Sequence, residues 1–360
     1  RCWWLAEEPA PRILEAMKNP VRYFRVLCWI SSLAAIVSLV WSLWLIQRLN
    51  HVKAALAASQ YVSRLPDPHE ASKHRDQNFE FVVRNYGFEY EGKTGDEIDD
   101  SILFCGAWEK DFAFFMRDYL ERCGNKQAVF IDVGCNAGHH SLFVSRYVQH
   151  IHAFDPYQPA VERFRRMIAR NSLTNITVHP VGLGAKEEDL PFFEPSEDNP
   201  GIGSFRSGPE PGRAPTARLR IVRGDDALAP HHLSGVELIK IDIEGFEESA
   251  LLGLRKTLES HRPLVVLEVT RPPGGTIASL DQLRNLFPAK YEFLVFIADE
   301  KTCLNGKYIL EDFEPRAADF FASGFQANLV AYPAEKGQEV PRRHVAPTTR
   351  ASPPQEDAPL

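Results

Sequence analysis

No C-x-x-C pair occurs among the six cysteines of this 360-residue chain, which stand apart at positions 2, 28, 105, 123, 135 and 303. That scatter excludes a zinc ribbon and a dithiol redox motif and leaves any disulfide pairing unreadable. Positive charge is not in excess: a net charge of −7 gives no electrostatic footprint for nucleic acid. There is no internal repeat, which removes solenoids and propellers. The glycine fingerprint G-x-G-x-x-G is missing as well. What is present is an ordinary share of hydrophobic residues, 44%, enough to bury a full core. The length suits one large domain with accessories, or two small ones.

One uncharged run stands out. Residues 26–46 carry no Asp, Glu, Lys or Arg and are rich in Leu, Ile, Val, Ala and Trp. At about 1.5 Å per residue the run reaches roughly 30 Å, enough to cross the hydrocarbon layer. Arg22 and Arg25 flank one end, Arg48 and Lys53 the other, and Trp29, Trp41 and Trp44 lie toward the ends. The run has no polar face, which argues against a core helix. Arg48 and Lys53 separate it from the small residues at 55–57, which argues against a cleaved signal. A single-pass membrane protein is therefore expected, anchored through 26–46. Slightly more basic residues precede the span than follow it, which points to a cytosolic amino terminus and a main domain outside or in a lumen.

Around the anchor, residues 1–25 read as a flank and 47–77 as a polar stalk broken by Pro66 and Pro68. Residues 78–333 read as the main domain. Its lead-in holds an amphipathic helix over 109–122, with Phe112, Phe115, Met116, Tyr119 and Leu120 on one stripe. Strand and helix signals then alternate: strands at 128–133, 150–155, 176–181, 238–242, 264–269, 293–297 and 326–332, helices at 138–147, 158–171, 246–258 and 279–287. That alternation predicts an α/β fold, a mostly parallel sheet with helices on both faces. Residues 190–227 are irregular and suit short antiparallel strands. The Pro-rich, charged tail 334–360 is expected to be disordered.

The first strand carries chemistry. Val129-Phe-Ile-Asp132-Val-Gly134-Cys-Asn136-Ala-Gly138-His139 runs from an apolar strand through an acid into two glycines four apart. Glycines there bring bare backbone to a ligand at a strand-to-helix turn, and in open α/β sheets ligands sit beyond the carboxyl ends of strands. The acid favours a cationic ligand, and S-adenosylmethionine (SAM), with its ammonium and sulfonium, fits better than a pyrophosphate. Asp155, 23 residues on, closes the second strand where an acid can accept from both ribose hydroxyls. NAD is the rival cofactor, but Asn136 stands within a loop that lacks the middle glycine. A second constellation is Lys240-Ile-Asp242-Ile-Glu244-Gly245, with three charges at alternate positions at the end of an apolar strand. Glu268 ends the neighbouring strand. A plain ion pair from Lys240 to a carboxylate is the alternative to a functional cluster.

The runs IDVGCNAGHHSLFVS, AFDP, NITVHPVGLG, LIKIDIEGFEESALLG, RPLVVLEV and NLVAYP, together with GAWEK at 106–110, resemble the FkbM family of SAM-dependent methyltransferases. The resemblance spans about 96–333. It implies a class I, Rossmann-like methyltransferase fold with seven strands, the last two an antiparallel hairpin, and O-methyl transfer onto sugars or polyketide-like compounds. By position it assigns Asp132, Gly134 and Gly138 to the SAM motif, Asp155 to the ribose, and Glu109 with 242–244 to the site lining; Asn136, inside the loop, and Glu109 are counted with the cofactor-binding residues. Two departures stand out: Asp155 where the family often has Glu, and His139-His140 where smaller or aliphatic residues are usual.

Methyl transfer to a hydroxyl needs alignment, dryness and a base. Asp242 and Glu244 are the first candidates for the base, with Glu268 and His139 behind them. No metal is predicted, although the same acids could instead hold a divalent ion that lowers a hydroxyl pKa. His139-His140 otherwise read as a surface or capping pair, His231-His232 as solvated, Cys135 as a space-filler, and Arg163, Arg165, Arg166 and Arg170 as a solvated face. Asn175-Ile-Thr177 is a glycosylation sequon, relevant only to a lumenal domain. The expected protein is a membrane-anchored SAM-dependent methyltransferase acting on a small-molecule or glycan hydroxyl, without a nucleic-acid partner. The alternatives are an NAD oxidoreductase and a catalytically silent tethered binding module. SAM is made in the cytosol, so cofactor supply argues against the sidedness that the charge bias suggests.

Overall fold

A computed structural model describes residues 79–193, 215–233, 235–272, 274–297, 306–324 and 326–343. The chain divides into units 1–65 and 66–360, and every described residue belongs to the second. The expected flank, the 26–46 anchor and the stalk lie outside the described residues. Among those described, no helix is long and apolar enough to cross a membrane.

A hairpin opens the domain. Strands β1 (Glu80–Asn85) and β2 (Phe88–Lys93) pair antiparallel, and their alternation buries Phe81, Val83, Phe88 and Tyr90. Helix α1 (Glu97–Cys105) starts where the Asp96 side chain accepts from the backbone N–H of Ile98 and Asp99. Helix α2 (Lys110–Cys123) buries the predicted stripe Phe112, Phe115, Met116, Tyr119 and Leu120. There follow β3 (Val129–Val133), α3 (His139–Val144), β4 (His150–Phe154), α4 (Gln158–Arg170), β5 (Ile176–His179), β6 (Gly182–Gly184), β7 (Glu188–Phe192), β8 (Ala217–Arg223) and α5 (Gly224–Leu228). After a 3-10 turn at Ala229–His231 come β9 (Val236–Ile241), α6 (Glu247–Gly253), α7 (Arg255–His261), β10 (Leu264–Thr270), α8 (Leu280–Asn285), β11 (Tyr291–Phe296), β12 (Leu310–Asp312), α9 (Glu314–Ser323) and β13 (Gln326–Pro333).

The main sheet has the order β12-β11-β13-β10-β9-β3-β4-β5. Its five strands from β10 to β5 are parallel, and β13 runs antiparallel to both β10 and β11. The near-continuous apolar runs of β3, β9 and β10 suit strands covered on both faces. Chain order reverses between β3 and β9, so their carboxyl ends open the crevice where such sheets take ligands.

Four sequence expectations need correction. The sheet has eight strands, not seven: β12 adds an edge to β11, and β12 and α9 separate β11 from β13 in the chain, so those two are antiparallel neighbours without a tight hairpin. The helix over 246–258 is two helices, α6 and α7, meeting at Leu254. The tail is ordered over its first ten residues, because the β12 edge supplies backbone partners: the Leu310 N–H donates to the Arg342 carbonyl at 2.9 Å, and Val340 is buried. Finally, the α4 arginines are a solvated face only in part: Arg165, Arg166 and Arg170 are exposed, but three of the four make ion pairs. Arg163 pairs with Asp99 and donates to the Glu91 carbonyl, while Arg166 and Arg170 reach Glu91 and Glu89. They dock the β1–β2 hairpin and α1 over the sheet end. The irregular 190–227 region does hold antiparallel strands, β7 and β8, in a small sheet with β6.

Candidate active site

The turn after β3 is built on two glycines. Gly134 has φ +77, and a Cβ there would lie 2.0 Å from the Asp242 carbonyl oxygen, so the β3 and β9 ends can meet only over bare backbone. Gly138 has φ +81, and its missing Cβ makes room for the Phe164 ring, 2.1 Å from the ideal position. Asn136 between them is left-handed at φ +47 and uses its own Oδ1 to accept from the Ala137 N–H at 2.7 Å. Glu109 and Glu244 also have positive φ, 41° and 52°. Each such residue costs about 1–2 kcal/mol, a strain that gathers at functional sites.

A cavity of about 480 Å³ opens at this switch point, and Gly134, Asn136, Asp155, Glu109 and His139 line it beside Asp242, Glu244 and Glu268. Eight of the ten sequence-predicted residues thus meet in one place. Asp132 and Gly138 are not on the cavity wall. Asp132 is only 1% exposed; it accepts from Ser141 Oγ at 2.6 Å through Oδ2, and its Oδ1 has no partner among the described residues. Burial raises its pKa against the opposing pull of Lys240. Asp155 staples the turn, accepting from the Asn136 N–H at 2.8 Å and the Tyr157 N–H at 2.9 Å. Burial outweighs those two donors and pushes its carboxyl up to about 6.

The β9 end departs from simple alternation. The strand stops at Ile241, and residues 242–246 turn, with Glu244 and Gly245 left-handed in succession. The Gly245 N–H donates to buried Glu247 at 2.8 Å, which holds the turn. Lys240 Nζ lies 3.1 Å from Asp242, so the plain ion pair exists, but as one part of a larger cluster. Burial works against the Lys240 ammonium, yet Asp242, Asp132 and Glu109 outweigh it and hold its pKa above the ordinary lysine value. Asp242, Glu244 and Glu268 offer oxygens within 4.8 Å of one another, a set that could hold a divalent cation. Burial, then Asp242, raises Glu244 to about 7. Burial, then Asp242 and Glu244, holds Glu268 well above the carboxylate range, and its Oε2 is buried without a partner. Glu109 is raised by burial and then by Asp242, and its Oε2 is likewise unpaired apart from His140 Nε2 at 3.7 Å.

His139 and His140 are buried rather than a surface pair; His139 Nε2 has no hydrogen-bond partner among the described residues, and His140 Nε2 has only the longer approach to Glu109. His139 stacks on Tyr90, and burial lowers it to about 3 with Arg163 and Lys240 adding to the effect. A base that weak accepts protons poorly near neutral pH, which ranks His139 below the carboxylates. Cys135 is the expected filler, buried and pushed up by burial. Sequence reasoning missed Arg163 and Trp108 as lining residues. Trp108 stands beside the expected Glu109 in the GAWEK run, and Arg163 reads in sequence as part of a solvated face. The sequon Asn175 is already used internally, donating to the Ser145 carbonyl at 2.8 Å.

AMB antimetabolite synthetase AmbE of Pseudomonas aeruginosa is 26% identical over 195 residues, 44% of this chain and 9% of that protein. The chain thus spans about a tenth of the curated relative it matches. Among solved structures, methyltransferase FkbM of Methylobacillus flagellatus is similar over 57% of this chain and 44% of its own, at 16% identity and a TM-score of 0.36. A SAM-dependent methyltransferase of Agrobacterium tumefaciens is similar over 72% of this chain and 70% of its own, at 10% identity and a TM-score of 0.36. The model of the Methyltransferase FkbM domain matches residues 105–295. That stretch contains the glycine turn, Asp155, the Lys240–Glu247 turn and Glu268, and the chain belongs to the FkbM methyltransferase family.

Proposed function

We propose that the protein transfers the methyl group of SAM to a hydroxyl of a neutral small molecule or glycan. The observation that carries this is the acidic lining of the cavity: seven Asp and Glu residues, of which Glu109 and Glu268 are held back from ionising by burial, line it against Lys240 and Arg163, and both cations are already paired, with Asp242 and Asp99. Such a lining suits a cationic donor and repels phosphates. The unpaired oxygen of Glu109, on the cavity wall, is an acceptor that a bound ammonium would satisfy. Asp155 would accept from the ribose hydroxyls with the lone pairs its backbone partners leave. A pyrophosphate would face the same acids, and Asn136 occupies the place of the middle glycine, so NAD is disfavoured.

When bound, the cofactor supplies an electrophilic methyl carbon. The chain's own residues position the acceptor and handle its proton. Glu244, near 7, is matched to the role of general base at neutral pH. Glu268, held protonated, donates a hydrogen bond to the acceptor. Two carboxyls with pKa values pushed apart divide these roles. The docked hairpin and α1 help exclude water. We hold the 26–46 run to be the membrane anchor, with the domain on its oxidising side. The excess of basic residues before the run supports this. Mass spectrometry of glycans and lipids from cells with and without the protein tests the activity. The expected result is a species heavier by one CH₂ that requires the protein. No such species in any pool, from a protein that binds SAM, would favour the silent module.

A further inference from the structure

Away from the cavity, three histidines distant in sequence converge. His152 lies on β4, His179 ends β5, and His231 closes the 3-10 turn Ala229–His231. None of the three lines the cavity. His152 Nδ1 and His179 Nε2 are 3.1 Å apart, and one nitrogen from each of the three falls within 4.8 Å of the others. The His231 ring sits 4.5 Å from that of His152 and 5.2 Å from that of His179. His152 is buried, His179 half-buried and His231 exposed, so the cluster reaches from the sheet face to solvent.

We propose that His152, His179 and His231 form a site for a zinc-class transition-metal ion. Tetrahedral zinc with Zn–N bonds of about 2.0–2.1 Å needs its nitrogens about 3.3 Å apart, close to the His152–His179 separation. His231 is on an exposed turn and can close the remaining gap without moving the sheet. An all-imidazole set selects Zn²⁺, Cu²⁺ or Ni²⁺ and is wrong for Mg²⁺ or Ca²⁺. Three protein ligands leave a fourth position for water on the solvent side. Neighbouring positions of the same strand, Ile151, Ala153 and Phe154, are apolar and buried, so packing alone gives no reason for imidazole at position 152. A single hydrogen bond between His152 and His179 accounts for one nitrogen on each ring and leaves the approach of His231 unexplained.

The test titrates Zn²⁺ into chelator-treated full chain with a competing chelator, alongside the variants His231→Ala and His179→Gln and the control Glu268→Gln. The expected result is one equivalent of tightly bound zinc, with affinity at least tenfold lower in both histidine variants and unchanged in Glu268→Gln. Substituted Co²⁺ should show the visible absorption of a tetrahedral nitrogen site, lost in His231→Ala. If His179→Gln does not fold, His231→Ala, an exposed substitution, decides the matter. Zinc affinity unchanged in His231→Ala, loss confined to Glu268→Gln, or no stoichiometric zinc at all would each overturn the proposal.

Discussion

If ionised carboxyls recognise a cationic donor, its affinity must follow their ionisation. In the ligand-free protein Glu244 titrates near 7 and Asp155 near 6, both raised chiefly by burial. Going from about pH 8 to about pH 6, the ionised fraction of Glu244 falls from roughly nine-tenths to one-tenth, and that of Asp155 from nearly all to about half. Together these predict a roughly 20-fold weaker affinity for SAM at the lower pH, about 1.8 kcal/mol. The sign follows from linkage: protons and the cation compete, so binding releases protons, about half of one from Glu244 at pH ~7. Titration calorimetry at the two pH values, repeated in buffers of different ionisation enthalpy, measures both quantities. S-adenosylhomocysteine shares the amine but lacks the sulfonium, so its pH dependence should be shallower, and the difference isolates the sulfonium. Glu244→Gln should remove most of the slope. Equal SAM affinities at both pH values, within about twofold, would refute the reasoning.

Three further outcomes follow from the geometry. Asp132→Asn keeps the shape and the Ser141 contact but removes a buried charge behind the cavity wall, so SAM affinity should fall by about tenfold through the lost electrostatic attraction, while the thermal midpoint of the ligand-free protein stays near wild type. Gly138→Ala should destabilise by about 2–5 kcal/mol in denaturant unfolding, from the left-handed backbone and from collision with Phe164; a loss under about 1 kcal/mol would contradict the packing described. Arg163→Ala leaves the carboxylate of Asp99, only 2% exposed, without its guanidinium and with the Lys93 N–H as a remaining donor, and should cost about 2–3 kcal/mol and speed amide exchange across 80–93. Unchanged exchange there would mean that the hairpin is held by other contacts.

The parallel half of the sheet was legible because its strands are short apolar runs punctuated by glycine, acid and helix signals. The site was legible for a related reason: Asp155, Asp242 and Glu268 are charges at the ends of otherwise apolar strands, where burial would be costly without a use. What escaped is non-local. The β1–β2 hairpin depends on arginines of α4, some 70 residues away, and alternation over so few residues carried little weight before its partner was known. Strand β12 has three residues and is stabilised by an edge, so no local pattern announces it. His139 and His140 read as surface residues because their sequence shows a helix start. The docked hairpin, through Tyr90, and the start of α2, through Glu109 and Phe112, cover them.

The most direct measurement is calorimetric titration of the wild-type full chain, at neutral pH, with S-adenosylhomocysteine and separately with NAD⁺. One equivalent of S-adenosylhomocysteine bound, with no heat from NAD⁺, is the predicted result. Saturable NAD⁺ binding by a protein that ignores S-adenosylhomocysteine would contradict the assignment of the cavity.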